Sequence, residues 1–129
     1  MPTFGNTSKT RLSTCDERLQ SVMNKVITIV DCSILDGYRG EGKQTIAYKE
    51  GRSKVQFPDS MHNSFPSRAV DAVPFPVDWE DTERMAHFAG IVIGVGAAMG
   101  ITIRWGSDWD RDGDIHEHSF LDYPHFEVI

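Results

Sequence analysis

The 129-residue sequence has few cysteines, no excess of basic residues and no long uninterrupted apolar segment. Its two cysteines, Cys15 and Cys32, form no C-x-x-C motif, so we expect both to be reduced thiols. The net charge of −6 argues against a protein that binds nucleic acid, because phosphate contacts need clustered Lys and Arg. Residues 88–103 form the longest apolar stretch, but four glycines interrupt it and it is too short to span a bilayer.

The amino-terminal residues also lack the basic start and the apolar centre of a secretory signal. We therefore expect synthesis in the cytoplasm without a signal peptide, and no stable insertion into a membrane. The composition, 40% hydrophobic and 25% charged, is ordinary for a globular protein, and the length suits one hydrophobic core. These features predict a single domain over residues 1–129. We expect a monomer, although no signal in the sequence fixes the oligomeric state.

Apolar residues at helical spacing predict three helices. The first follows a cap-like segment at residues 13–16 and continues to about residue 30. The second covers residues 42–49, with Ile46 and Ala47 directed inward. The third covers residues 79–99 and stops at Gly100. Its inward face is predicted to comprise Met85, Phe88, Val92, Val95 and Met99.

Four shorter apolar segments predict strands, at residues 32–35, 69–73, 101–105 and 125–129. Helices come first and strands later, which is typical of an α+β fold. We expect a small single domain in which an antiparallel sheet packs against about three helices. The long helix also contains Gly90, Gly94 and Gly96, which predict close packing against a neighbouring element.

Two segments carry the residues that a zinc peptidase needs. Such an enzyme uses three His, Asp or Glu ligands, with a further carboxylate as general base and acid. Residues 60–71 read SMHNSFPSRAVD, and residues 120–127 read FLDYPHFE. Asp71 stands out because a carboxylate in an apolar strand is costly unless it is paired or binds a metal.

Together the two segments resemble the signatures of the VanY-type zinc peptidases, which include D-Ala-D-Ala carboxypeptidases and phage L-alanyl-D-glutamate endopeptidases. The resemblance implies one zinc ion in a cleft on the sheet, bound by His62, Asp71 and His125, with Asp122 as the catalytic carboxylate. Asp71 follows His62 by nine residues, which is longer than the commonest spacing in the family.

Further segments extend the resemblance over nearly the whole chain. Residues 36–39, Asp-Gly-Tyr-Arg, resemble the family's Ser-Gly-Tyr-Arg, and residues 105–109 resemble the Trp-Gly-Gly-Asp-Trp of the phage branch. The first match implies that Arg39 holds substrate or stabilises an oxyanion. Four residues are expected to support or line the substrate site: Ser60, Gln44, Trp105 and Trp109.

Two other polar clusters offer alternative metal sites. His116 and His118 flank Glu117 and would share one face of a strand, although a polar loop is the simpler interpretation. Residues 108–114 imitate the start of a calcium loop, but Ser119 occupies the twelfth position, where the bidentate Glu belongs. A weak Ca²⁺ site there is the lesser alternative to a solvated acidic loop.

The resemblance implies a phage endolysin that hydrolyses the L-Ala–D-Glu bond of bacterial peptidoglycan. It would act on the cell wall after release through the inner membrane. One alternative is a D-Ala-D-Ala carboxypeptidase or dipeptidase of the same family. Another is a non-catalytic metal-binding module with the same fold.

Overall fold

The computed structural model describes residues 2–114, 116 and 121–129. These residues form four α-helices, a short 3-10 helix at Met61–Asn63 and four strands. The helices are α1 (Asn6–Leu12), α2 (Glu17–Val26), α3 (Glu41–Lys49) and α4 (Thr82–Ala98). The strands are β1 (Cys32–Asp36), β2 (Ala69–Pro74), β3 (Ile103–Trp105) and β4 (His125–Val128). The arrangement confirms the α+β prediction, with all four predicted strands present.

The four strands form one antiparallel sheet in the order β1-β2-β4-β3. Alternate residues of each strand point to opposite faces. One face is apolar and belongs to the hydrophobic core, to which the strands contribute Cys32, Ile34, Val70, Ala72, Ile103, Trp105, Phe126 and Val128. The opposite face carries polar residues of the central strands β2 and β4, and it is this face that forms the site described below.

Helices α2 and α4 cover the apolar face. The Asp16 carboxylate caps α2 by accepting from the Arg18 backbone N–H, and the Asp81 carboxylate caps α4 by accepting from that of Arg84. Each helix buries a set of apolar residues at helical spacing. These are Leu19, Val22, Met23 and Val26 in α2, and Met85, Phe88, Ala89 and Val92 in α4. The amphipathic pattern of both helices therefore provides the core.

Several details of the predicted helices are wrong. Helix α4 begins at Thr82 rather than at residue 79, and Met99 follows its end and is exposed. Ile46 of α3 points to solvent, whereas Gln44 and Ala47 are buried, because Gln44 satisfies its amide through internal hydrogen bonds. Helix α1 was not predicted, since Leu12 is its one buried residue and leaves no apolar periodicity.

The prediction of close packing at the α4 glycines holds for one of the three. A Cβ atom at Gly96 would lie 2.8 Å from Cγ1 of Ile103 and 3.0 Å from the Ile101 carbonyl oxygen, so α4 and β3 meet there. A Cβ atom at Gly90 or Gly94 would meet nothing within 4 Å. Gly100 ends the helix with a φ of 75°, as its sequence position predicted.

Across the part of the chain that the structure describes, no helix combines the length and the apolar character that crossing a membrane requires.

Candidate metal and active site

The pleat of the sheet places three of the polar residues side by side. Asp71 of β2 is the register partner of His125 of β4, so their side chains leave the same face from adjacent strands. Glu127 lies two residues beyond His125 on the same face and pairs in register with Arg104 of β3. Because Phe126 and Val128 occupy the alternate positions in the core, the hydrophobic pattern of β4 itself fixes the direction of His125 and Glu127.

His62 reaches the same point from the 3-10 helix between α3 and β2. The Ser60 hydroxyl accepts from the His62 backbone N–H at 3.2 Å, and the Ser60 N–H donates to Oδ1 of Asn63 at 2.9 Å. This capping arrangement fixes the single turn that carries His62. The side chain is 1% exposed, so His62 is directed inward onto the sheet.

The three side chains converge on one point. Nε2 of His62 lies 3.1 Å from Oδ1 of Asp71 and 3.2 Å from Nδ1 of His125, and the latter two atoms are 3.5 Å apart. Tetrahedral zinc with bonds of about 2.0–2.1 Å has neighbouring donor atoms about 3.4 Å apart. The three distances and the donor set of two imidazoles and a carboxylate therefore fit zinc. The nine-residue spacing between His62 and Asp71 does not prevent this convergence.

Each imidazole has an acceptor for its other ring nitrogen. Nδ1 of His62 lies 2.7 Å from the Gly37 carbonyl oxygen, and Nε2 of His125 lies 2.6 Å from Oε1 of Glu127. A proton held in each of these bonds leaves Nε2 of His62 and Nδ1 of His125 free to bind a metal. Sequence analysis missed Glu127, although strand alternation from His125 places it on the same face.

Asp122 lies beside the three residues. Its Oδ2 atom is 3.9 Å from Nδ1 of His125. Gly106 sets this position: its carbonyl accepts from the Asp122 N–H and its own N–H donates to the His125 carbonyl, both at 2.8 Å. A Cβ atom at Gly106 would collide with the Asp122 carbonyl oxygen and lie 2.9 Å from Cβ of His125. The segment that contains Gly106 therefore packs against the turn from Asp122 to His125 and fixes its position.

The charges of these groups shift one another's pKa values. Burial would raise the pKa of Asp71, but the neighbouring His62 and His125 hold it well below its usual range. Burial, reinforced by the charge of Asp71, raises the pKa of Asp122 to about 6. Burial opposes protonation of His125, yet its hydrogen bonds to Asp71 and Glu127 outweigh this effect and raise its pKa to about 9. The two neighbouring carboxylates thus differ sharply in pKa: Asp71 stays ionised, whereas Asp122 can exchange protons near neutral pH.

Arg39 is buried next to this site. Its Nη2 lies 3.4 Å from Oδ2 of Asp71, the carboxylate oxygen turned away from the histidines, and its Nε lies 3.1 Å from Asp36. The Arg39 backbone N–H also donates to the His62 carbonyl at 2.8 Å. The aspartate that replaces the family's serine at position 36 therefore makes an ion pair with the arginine. Arg39 nevertheless lines the same open space as Asp122.

The other predicted site residues fall into different places. Ser60 and Trp109 line the cleft, and the Trp109 ring centre is 5.6 Å from that of His125. Gln44 is fully buried; its amide accepts from Arg39 and donates to the Ser53 hydroxyl and the Val55 carbonyl, so it holds the walls of the site. Trp105 lies on the core face of the sheet, where its indole N–H donates to the Tyr123 carbonyl. The structure does not bring Trp105 to the cleft.

The cleft has two connected parts that share Arg39, Arg52 and Asp122. The first, of 480 Å³, is also lined by Asp71, Trp79 and residues 121–124. The second, of 540 Å³, is also lined by His62, His125 and residues 53–55. Asp122 therefore borders both parts of the cleft. Trp79, which sequence analysis assigned to a helix, is a wall of the first part.

Among the described residues, each of the two alternative metal sites, at residues 116–118 and at residues 108–114, offers only part of the ligand set that a metal ion needs, whereas His62, Asp71 and His125 offer a full set of three. Glu117 and His118 lie outside the described residues, and His116 is exposed. Carboxylate oxygens of Asp108, Asp110 and Asp112 lie within 4.8 Å of one another. The Asp108 carboxylate accepts from the backbone N–H groups of Asp112 and Gly113, which gives it a role in shaping the loop itself.

Known proteins share the sequence pattern and the fold of this chain. Residues 2–129 match the family model described as phage L-alanyl-D-glutamate peptidase. The L-alanyl-D-glutamate peptidase of Escherichia phage T5 is 28% identical over 134 aligned positions, which cover 98% of this chain and 97% of that protein. The crystal structure of the L-Ala D-Glu endopeptidase ChiX of Serratia marcescens shares the fold, with a TM-score of 0.76 and 24% identity over 98% of this chain and 90% of that one. Since the family model covers almost the entire sequence, the chain belongs to the phage L-alanyl-D-glutamate peptidase family.

Proposed function

We propose that this protein is a zinc-dependent phage endolysin that hydrolyses the L-Ala–D-Glu bond of the peptidoglycan stem peptide. His62, Asp71 and His125 would hold the metal, and Asp122 would be the catalytic carboxylate. One observation carries the proposal: three donor atoms lie 3.1–3.5 Å apart beside the Asp122 carboxylate, which lines both parts of the open cleft. Membership of the family supplies the class of reaction and the bond.

The chemistry requires a water molecule, a base and a polarised carbonyl group. A zinc ion in this site would supply a Lewis acid and a water of lowered pKa. Asp122 accepts the proton of the attacking water and then donates it to the leaving amine of D-Glu. Its pKa of about 6 suits this double role, because both protonation states are accessible near neutral pH. Glu127 and the Gly37 carbonyl hold the two imidazoles in position throughout.

Arg39 would stabilise negative charge in the same cleft. Its guanidinium is buried, which strengthens its electrostatic effect, and its pairing with Asp71 and Asp36 fixes its orientation. We propose that it faces the developing oxyanion or a carboxylate of the substrate. Ser60 and Gln44 act as supporting residues, since one caps the turn of His62 and the other holds Arg39.

A non-catalytic module is the principal alternative from another class. A closed fourth coordination position, or an Asp122 side chain directed away from the metal ligands, would favour it. Asp122 instead lines both parts of the cleft and lies 3.9 Å from His125. A D-Ala-D-Ala carboxypeptidase would use the same metal chemistry, and only product analysis separates the two peptidases.

Digestion of purified peptidoglycan, followed by mass analysis of the products, tests the proposal. We expect new peptides that begin with D-Glu, and we expect a chelator to abolish them and added zinc to restore them. Release of free D-Ala instead would identify a carboxypeptidase. Asp122→Ala should retain zinc and lose activity, whereas His125→Ala should lose both. Full activity in either variant would contradict the proposed roles.

The cellular route follows from the same proposal. We propose that the protein acts as a monomer and reaches the wall from the host cytoplasm once the inner membrane has been opened. Protein produced inside cells should then lyse them only after the inner membrane is permeabilised, and lysis without permeabilisation would contradict this route. Sedimentation at working concentration tests the monomer.

A weak calcium site at Asp108, Asp110 and Asp112 is the least supported part of the proposal. The three carboxylates are close together, but position 119, where a calcium loop carries its bidentate ligand, is a serine. Calcium should raise the melting temperature of the wild-type protein and not that of Asp110→Asn. An unchanged wild-type melting temperature would remove the site.

A further inference from the structure

The peptide unit that joins Gly37 to Tyr38 is hydrogen-bonded at both of its polar groups. Its carbonyl oxygen lies 2.7 Å from Nδ1 of His62, and its N–H donates to the Thr14 hydroxyl at 2.9 Å. The C=O and N–H groups of a trans peptide point in opposite directions, so this unit lies between the His62 ring and Thr14. The acceptor that orients His62 is therefore held in place by a side chain from the amino-terminal part of the chain.

Thr14 is itself fixed by bonds to two other segments. Its hydroxyl donates to the Arg11 carbonyl at 2.7 Å, and its own carbonyl accepts from the Ser67 backbone N–H at 2.8 Å. A hydroxyl has one proton, and Thr14 gives it to Arg11, so the same oxygen meets the Tyr38 N–H as an acceptor. Thr14 thus joins the end of α1 to the segment that leads into β2.

The lack of a side chain at residue 37 permits this arrangement. A Cβ atom at Gly37 would collide with the Thr14 hydroxyl, and it would lie 2.5 Å from the Arg11 carbonyl oxygen and 3.0 Å from Sγ of Cys15. The Arg11 oxygen belongs to the backbone and cannot rotate away. Glycine therefore lets the chain approach the end of α1 this closely, and the close fit restricts where the Gly37 carbonyl can lie.

These groups form one chain of hydrogen bonds that ends at the metal site. It begins at the Arg11 carbonyl, passes through the Thr14 hydroxyl and the peptide unit, and ends at Nδ1 of His62. All the donors point the same way along the chain, so each bond polarises and strengthens the next. A stronger acceptor at Gly37 keeps the proton on Nδ1 and leaves Nε2 free for a metal.

We propose, on the basis of the metal-binding role proposed above for His62, that Thr14 is a positioning residue of the metal centre. Its hydroxyl fixes the Gly37 carbonyl, and this carbonyl orients the His62 ring and selects the tautomer that binds zinc through Nε2. Thr14 lines neither part of the cleft, so it acts through His62 and not through substrate. The turn after α1 therefore contributes to the metal site as well as to the fold.

Two substitutions at Thr14 test this inference, with zinc affinity measured by competition with a chromophoric chelator. Thr14→Val nearly keeps the shape of threonine but lacks the hydroxyl, so the Tyr38 N–H loses its acceptor. We expect zinc affinity to fall about three- to tenfold, less than the loss of about 10–100-fold that follows removal of a direct partner of a ligating histidine. Thr14→Ser keeps the hydroxyl and should bind zinc about as tightly as the wild type.

Ser13→Ala is the matched control. The Ser13 hydroxyl donates to the Thr10 carbonyl at 2.6 Å, so this adjacent residue makes the same kind of local bond as Thr14 but lies outside the chain that leads to His62. We expect it to keep the wild-type affinity. The number of zinc ions bound at saturation counts the folded molecules, so a partly unfolded variant still gives an affinity.

A second measurement reports on the His62 bond directly. In the zinc-loaded protein, the Nδ1 proton of His62 should exchange with water faster in Thr14→Val than in the wild type or Ser13→Ala, as followed by proton NMR. An exchange rate unchanged by Thr14→Val would show that Thr14 does not act through His62 and would overturn the inference.

The affinities separate this inference from the function on which it rests. Wild-type affinity in Thr14→Val would overturn the inference and leave the metal site intact, and so would an equal loss of affinity in Ser13→Ala or in Thr14→Ser. Failure of the wild type to bind zinc would instead overturn the proposed function, and the inference with it.

Discussion

Nε2 of His125 lies 2.6 Å from Oε1 of Glu127, and this short contact joins two residues that are neighbours on one face of β4. Glu127 is 3% exposed, and its other oxygen accepts from Nη2 of Arg104 at 2.6 Å. Arg104 therefore holds Glu127, and Glu127 holds the ring of His125 with Nδ1 towards His62 and Asp71. A carboxylate behind a metal-binding histidine fixes the tautomer and increases the basicity of the ligand.

Removal of this carboxylate should weaken the metal site. Glu127→Ala is expected to lower zinc affinity by about 10–100-fold, because the His125 ring loses its orienting partner. Glu127→Gln should lose less, since an amide oxygen can still accept from Nε2. Competition with a chromophoric chelator measures the affinity. Glu83→Ala, which removes an equal charge from the exposed first turn of α4, is the control. Equal affinities in the wild type and Glu127→Ala would show that Glu127 does not support the site.

The activity should decline in acid because Asp122 must be ionised to act as a base. Burial and the charge of Asp71 raise its pKa to about 6, and a bound cation would lower it, so we expect the midpoint of the acid limb at or below about pH 6. The rate should fall about tenfold for each pH unit below that midpoint. Zinc content, measured at each pH, separates this effect from loss of the metal. A constant rate down to pH 4 with zinc retained would exclude Asp122 as the base.

The stability of the zinc-free protein should fall as the pH rises. His125 has a pKa of about 9 in the folded protein, against an ordinary value of 6.5, so the folded state binds more protons between these values. The stabilisation from this group is complete below about pH 6.5 and is lost as the pH passes through about 9. Melting of chelator-treated protein measures the trend, and His125→Gln should flatten it. Zinc should oppose the trend, because its ligands bind in their deprotonated form. A zinc-free melting temperature that rises over this interval would contradict the assignment.

The sequence was sufficient for much of the fold because apolar periodicity follows burial. The four strands and helices α2 and α4 bury most of the residues that their patterns indicated, although Met99 beyond the end of α4 is exposed. The sequence pattern did not indicate which polar residues are buried through their hydrogen bonds. Gln44 is buried by its bonds to Arg39, Ser53 and Val55, and this displaces Ile46 to the surface. Hydropathy cannot distinguish a satisfied buried amide from an exposed one.

The motifs predicted the residues at the centre of the site, but they predicted the residues that line the cleft around it less well. His62, Asp71, His125 and Asp122 lie together, as the resemblance implied, although their roles stay predictions. Contacts made through space were not accessible from spacing alone. Trp79 and Trp105 illustrate this point, since each lies next to a predicted element boundary and only the three-dimensional structure shows which one faces the cleft.

The close approach of α4 to β3 gives a prediction with an internal control. A methyl group at Gly96 would meet Ile103 and the Ile101 carbonyl oxygen inside normal contact distance, and a backbone oxygen cannot rotate away. We expect Gly96→Ala to lower the free energy of unfolding by about 1–3 kcal/mol, the usual cost of overpacking. Gly94→Ala lies in the same helix with open space around its Cβ, so it should instead gain about 0.5–1 kcal/mol from reduced backbone entropy in the unfolded chain. Urea denaturation of both variants measures the difference. Stabilisation by both substitutions would mean that α4 and β3 lie farther apart than this structure places them.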